Sequence, residues 1–152
     1  GKEELVKKNT EKYVHPEIGF SFEYPKELNV ESFKESDGGE TIVFQKQGDH
    51  PDWLPEQKTG FQIFVIPFDD EGKGLTTERI LQDLPSAVIE EPTEIILGDG
   101  TRAILFWSNS PQIGKTREVW FISSFYLFEV TTYAHLDSWL AQIMTTWNFN
   151  TF

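Results

Sequence analysis

In the stretch GDHPDW, Asp49, His50 and Asp52 gather two carboxylates and an imidazole into four positions. Carboxylate oxygen with imidazole nitrogen is a donor set found at zinc, manganese and nickel sites, so these three residues are the candidate metal ligands of the chain. An Asp beside Pro51 also reads as a plain turn that needs no ion. A second acidic run, DDEGKG from Asp69 to Gly74, resembles part of a calcium loop. It lacks the alternating oxygen ligands and the bidentate glutamate of an EF-hand, and reads better as a solvated turn. A divalent cation is the one cofactor the residues suggest, and nothing in the pattern requires it.

Nucleophilic and acid–base chemistry is less well supplied. His15, His50 and His135 lie far apart, and none belongs to an HExxH pattern that would set two ligands on one helical face. Gly19-Phe20-Ser21 begins like a nucleophile elbow, but Glu23 stands where the second glycine belongs. The run IGKT, Ile113 to Thr116, matches the end of a phosphate-binding loop; Asn109 replaces its first glycine, and the segment joins two strands instead of opening a helix. Acidic pairs such as Asp69-Asp70-Glu71 and Glu90-Glu91 sit in polar runs where carboxylates stay solvated. Acid–base catalysis needs two carboxyls at a defined separation with shifted pKa values. No catalytic residue is assigned, and the chain is read as non-enzymatic, a hydrolase with an unrecognised site being the weakest alternative.

Five tryptophans raise a different chemistry, the stacking of sugars or the anchoring of a protein partner. Trp147 lies on a helical stripe, and one of Trp107 and Trp120 must point inward. Trp53, in a polar loop, and Trp139, off the stripe, are the expected contacts for a partner or glycan.

The elements that would position these residues are mostly strands. In GFSFEYP, Phe20, Phe22 and Tyr24 fall on one side and Ser21 and Glu23 on the other, the period of a half-buried strand that Pro25 ends. NVESF and ETIVFQKQ are joined across Asp37-Gly38-Gly39, a hairpin signal. FQIFVIPF mixes aromatic and β-branched residues, which predicts a strand well inside the sheet. TTERILQDLP predicts one short helix, with threonine at its N-cap and Pro85 as a stop. TEIILGDGTRAILFW reads as two strands around Asp99-Gly100, and REVWFIS and YLFEVTTYA continue an antiparallel meander. Leu136, Leu140, Ile143, Met144 and Trp147 form a helical stripe that Asp137 or Ser138 would cap, and WNFN could add a short edge strand.

The 152 residues suit one domain, placed from Tyr13 to Phe152, with residues 1–12 read as a flexible polar tether. A net charge of -12, from 13 basic and 25 acidic residues, makes nucleic acid and anionic lipid improbable partners and favours a basic protein surface. With no cysteine, disulfides and thiolate chemistry are excluded. No apolar run approaches the roughly 18 residues that cross a bilayer.

The aromatic strand ending in Tyr-Pro (GFSFEYP), the hairpin LGDGTRAILFW with two long strands after it, and an amphipathic helix running into TTWNF together resemble the PsbP-like family. That family is named for an extrinsic subunit of the photosystem II oxygen-evolving complex and is related in fold to the Ran-binding nuclear-import factor Mog. The resemblance covers about Tyr13 to Phe149 and implies an α+β fold, an antiparallel sheet flanked by helices in an α/β/α sandwich. Many bacterial members look like exported proteins held at a membrane by an N-terminal lipid or helix. By that likeness the polar tether is expected to follow an anchor that preceded Gly1, and the domain to work outside the cytoplasmic membrane. The photosystem role is not carried over, because a fold hosts unrelated functions. The resulting expectation is a monomeric, non-catalytic, extracytoplasmic domain that binds a protein partner or assists assembly. Its alternative is a binding domain for a divalent cation or a glycan.

Overall fold

The computed structural model describes residues 9–69 and 74–149. Nine strands occur among them: β1 (Thr10–Val14), β2 (Ser21–Pro25), β3 (Leu28–Lys34), β4 (Glu40–Lys46), β5 (Gly60–Pro67), β6 (Glu90–Ile96), β7 (Arg102–Ser110), β8 (Gly114–Ser123) and β9 (Tyr126–Tyr133). Two α-helices join them, α1 (Thr77–Asp83) and α2 (Asp137–Met144). Seven strands make one antiparallel sheet in the order β3-β4-β5-β9-β8-β7-β6, and β1 and β2 form a separate hairpin. The first strand begins at Thr10, so Thr10 to Lys12, expected in the tether, are paired with Pro25 to Glu23. Residues 1–8 of that expected tether lie outside the described residues.

The alternation of side chains explains the layering. Phe44, Phe61, Ile63, Val119, Phe121, Phe128 and Val130 all point to one face and form its buried core. The β1–β2 hairpin adds Phe20, Phe22 and Tyr24, and α2 adds Leu140, Ile143 and Met144. Trp147 is the centre of this layer: its ring lies parallel to Phe20 at 4.8 Å and to Phe22 at 5.4 Å, and meets Phe121 and Phe128 edge-on. The turn at Gly98 packs against the end of α2 so closely that a Cβ there would stand 2.1 Å from the Thr145 carbonyl oxygen, which only glycine tolerates.

The opposite face is covered over part of its width. Helix α1, capped by Thr76, whose hydroxyl accepts from the Arg79 amide, lays Ile80 over Ile104, Phe106 and Trp120. With α2 and the hairpin on one side and α1 on the other, the fold is the expected α+β arrangement of helices flanking an antiparallel sheet. The cap of α2 differs from expectation. A 3-10 turn (Ala134–Leu136) leads into the helix, Leu136 occupies the N-cap position without a side-chain bond, and Asp137 falls in the first turn. Its carboxylate instead accepts from Arg117 Nε at 2.8 Å, while the guanidinium lies 4.0 Å over the Trp107 ring. Asn148 forms a single bridge to Ser21 in place of the short strand expected at WNFN.

Candidate functional site

Beyond α1, the second face of the sheet is open. There the alternate residues of β4, β5, β9 and β8 are Val43 and Gln45, Gln62, Thr131 and Tyr133, and Thr116 and Glu118. With the β7–β8 turn as one wall, through Asn109, Ser110, Gln112 and Ile113, they line a cavity of about 450 Å³. That volume falls within the range of small-molecule pockets.

Glu118 stands at its floor, on an interior strand and only 6% exposed. Thr131 Oγ1 donates to Glu118 Oε1 at 2.6 Å and the Trp120 indole Nε1 donates to the same oxygen at 3.0 Å. Burial pushes the Glu118 pKa above the usual carboxylate range, with the hydroxyls of Thr116 and Thr131 and the Trp120 indole pulling the other way. Thr116 is 1% exposed, and although its hydroxyl lies near enough to favour the charged carboxylate, Oγ1 has no partner at hydrogen-bonding geometry. A buried hydroxyl left unpaired normally finds a partner, so this atom marks a place where one is missing. Glu129 sits diagonally from Glu118, opposite Trp120 in the ladder. Its pKa is pushed up to about 7, first by burial and then by the charge of Glu118. Only Glu118 of the two lines the cavity.

The residues singled out in the sequence lie elsewhere. Asp49 Oδ2 accepts from Gln45 Nε2 and from the Thr59 amide, both at 2.8 Å, which pins the β4–β5 loop to the rim of the cavity. His50 Nδ1 accepts from the Asp52 amide at 3.1 Å, and the Asp52 carboxylate, 3.8 Å from the same nitrogen, is exposed. Asp49 is thus engaged apart from His50 and Asp52, and among the described residues no group of three or more His, Cys, Asp and Glu stands together as a metal ligand set. Of the DDEGKG run, Asp70 to Lys73 lie outside the described residues. Trp53 is 44% exposed on the loop that Asp49 ties down, as its polar surroundings predicted. Trp139 is instead half-buried, packed edge-on against Phe61 at 5.8 Å, because the sheet widens the apolar surface beyond the helical stripe.

A second polar cluster, His15, Glu40 and Ser32, ties the β1–β2 hairpin to the sheet. His15 is 1% exposed; its Nδ1 accepts from the Glu17 and Ile18 amides, so Nε2 carries the proton and donates to Glu40 Oε1 at 2.6 Å. Ser32 donates to the other Glu40 oxygen. The carboxylate thus separates hydroxyl from imidazole, whereas a nucleophilic triad places the imidazole between the other two. For Glu40, burial would raise the pKa, but the bonds from Ser32 and His15, with the nearby Lys34 ammonium, bring it below the usual range.

Glu118 and Glu129 are not among the acidic groups that adjacency in polar runs singles out. Their signal was a lone carboxylate inside a β-branched and aromatic strand, as in TREVWF and YLFEVTT, where alternation predicts a position facing its neighbours rather than solvent.

No family model and no curated protein sequence matches this chain. Among solved structures, cyanobacterial PsbP (CyanoP) from Synechocystis is similar with a TM-score of 0.62 and 11% identity, over 93% of this chain and 92% of that one. A chain from Bacteroides thetaiotaomicron is similar with a TM-score of 0.58 and 14% identity over 93% of this chain. The match takes in 49% of the Bacteroides chain, so this chain spans about half its length. Helices on both faces of a seven-stranded antiparallel sheet, with an added aromatic hairpin, thus make up the PsbP-like fold.

Proposed function

We propose that this protein is a non-catalytic binding domain that docks a protein partner carrying a basic surface through the open face of its sheet. The observation that carries the reading is the uncovered polar half of that face, whose cavity surrounds a buried carboxyl, on a chain of net charge -12. Acidic fields steer basic partners and speed their encounter, and a recessed charged group supplies the anchor. Exposed Trp53, on the loop fastened to the cavity rim, adds an aromatic contact of the kind enriched in interfaces. The likeness in fold to cyanobacterial PsbP supports a binding role, and the family resemblance supports a monomer tethered outside the cytoplasmic membrane by an upstream segment. Acid–base catalysis is disfavoured because a substrate in the cavity would meet one carboxyl, Glu118, and not the pair.

A benzophenone amino acid placed at Gln62, on the open face, and separately at Ser138, exposed on α2 over the closed face, tests this in the cells that make the protein. A discrete cross-linked partner from position 62 that is absent from position 138 and fades with rising salt is the expected result. Equal products from both positions, or none, would overturn it.

A glycan is the second reading, favoured by the amide and hydroxyl groups of Gln45, Gln62, Asn109 and Tyr133 around the cavity. A saturable rise in melting temperature with a monosaccharide would establish it.

A further inference from the structure

We infer that the cavity is a pocket for one primary ammonium group, filled in the assembled protein by a lysine side chain of the partner. The inference rests on the partner-binding reading and adds the chemistry of the anchor. Three observations carry it.

The first is the missing partner at the cavity floor. Thr116 Oγ1 is buried, lines the cavity and lacks a hydrogen bond, although a hydroxyl can both donate and accept. An ammonium hydrogen directed at this oxygen would complete it, leaving the hydroxyl proton free to turn toward Glu118.

The second is the way Glu118 is used. The two donors at hydrogen-bonding geometry, Thr131 Oγ1 and Trp120 Nε1, both fall on Oε1, leaving Oε2 without a bond from either and with only the Thr116 hydroxyl nearby. An oxygen with two donors has its lone pairs filled. A guanidinium binds carboxylates best as a fork, with one N–H to each oxygen, and that fork is unavailable here. A compact ammonium needs just one free carboxylate oxygen and further acceptors at tetrahedral angles, which Oε2 and Thr116 Oγ1 begin to supply.

The third is charge. Glu118 and Glu129 share one desolvated stretch of sheet face, and no Lys or Arg lines the cavity. A bound cation offsets both the burial of Glu118 and the repulsion between the two carboxyls. An anion or a second carboxylate would meet the opposite. The aliphatic stem of a lysine would rest against Val43 and Ile113 at the mouth, leaving its ammonium to reach the floor.

The test uses n-butylammonium as the probe, followed by calorimetry or amide chemical shifts at constant ionic strength. We expect saturable binding at millimolar concentration, at least tenfold weaker binding of n-butylguanidinium, and none of n-butanol. Glu118→Gln should weaken n-butylammonium at least tenfold, and Thr116→Val, which keeps the shape of the site and the buried carboxyl, should weaken it several-fold. Thr116→Val therefore keeps the test decisive if Glu118→Gln does not fold. Binding of the alcohol or the guanidinium as tight as that of the amine, or binding indifferent to both substitutions, would overturn the inference. A partner cross-linked at position 62 without ammonium binding would overturn the inference and leave the partner-binding reading standing. Absence of both would end both.

Discussion

The two faces of the sheet are written by the same strands, one residue out of step. On β8, Val119 and Phe121 enter the aromatic layer, and Thr116, Glu118 and Trp120 face the other way. On β9, Phe128 and Val130 do the first and Glu129 and Thr131 the second. The closed face packs ring against ring around Trp147. The open face holds carboxyls in places where water is scarce and countercharge absent. Carboxyls on the two faces accordingly shift in opposite directions: Glu40, at the edge of the closed face, is drawn down by Ser32 and His15, whereas Glu118 and Glu129 are pushed up by burial. A fold stabilised mainly by one face can carry unfavourable chemistry on part of the other, and this is the economy that functional sites use.

Substitutions on the two faces should therefore differ in sign as well as size. Trp147→Ala removes the ring that joins hairpin, sheet and helix, and is expected to cost about 4 kcal/mol in urea unfolding, a large share of the roughly 5–15 kcal/mol that holds a domain folded. Glu129→Gln should do the reverse at pH 8. Below about pH 4.5 the Glu129 carboxyl is protonated in folded and unfolded chains alike and contributes no penalty. As the pH rises toward 7 the unfolded chain ionises while the fold holds its proton, so stability falls across that window and stays reduced above it. The amide removes that penalty, for a gain on the order of 3 kcal/mol at pH 8 that vanishes by pH 4. Thermal unfolding followed across this range would show it, and an equal gain at both ends would contradict it.

On the closed face, Glu40→Gln should destabilise at neutral pH by about 1 to 2 kcal/mol, by weakening two charge-assisted bonds. Its pH dependence has the opposite form. The lowered pKa gives stability that is present above the ordinary carboxylate range and lost as the pH falls through the folded value, so wild type and variant should converge in acid. The smallest effect is expected from Thr116→Val, within about 1 kcal/mol in either direction, because the hydroxyl it deletes has no partner at hydrogen-bonding geometry. A large loss there would mean that the open face contributes to folding after all.

Much of the fold was legible in the residues. Asp37-Gly38-Gly39 and Asp99-Gly100 lie at the hairpins they announced, Thr76 caps α1, and the interior position of β5 follows from its β-branched run. Some elements needed tertiary partners that no local pattern names. Thr10 to Lys12 read as polar because they are exposed, yet their backbone pairs with β2. The turn between β8 and β9 carries Ser124 and Phe125 at positive φ, 53° and 67°, a geometry usually announced by Asn-Gly and here imposed by the strands it joins. The site was less legible than the fold. GDHPDW concentrates ligand types in sequence without gathering all three in space, whereas Glu118 and Thr116 of β8 meet Thr131 of β9 only through the β8–β9 register.

That register also shapes how the chain must fold. The sheet is two meanders, β3 to β5 and β6 to β9, joined at the β5–β9 ladder, where the Thr132 hydroxyl donates to the Gly60 carbonyl 72 residues earlier. Loop closure of that span precedes any reward from the central pairing, which places the domain among slow, high-contact-order folders. A nascent chain leaves the β5 edge without its β9 partner until residue 133 has been synthesised, and an unpaired apolar edge invites association with other chains throughout that interval. The cavity, walled by both meanders, exists only after they meet.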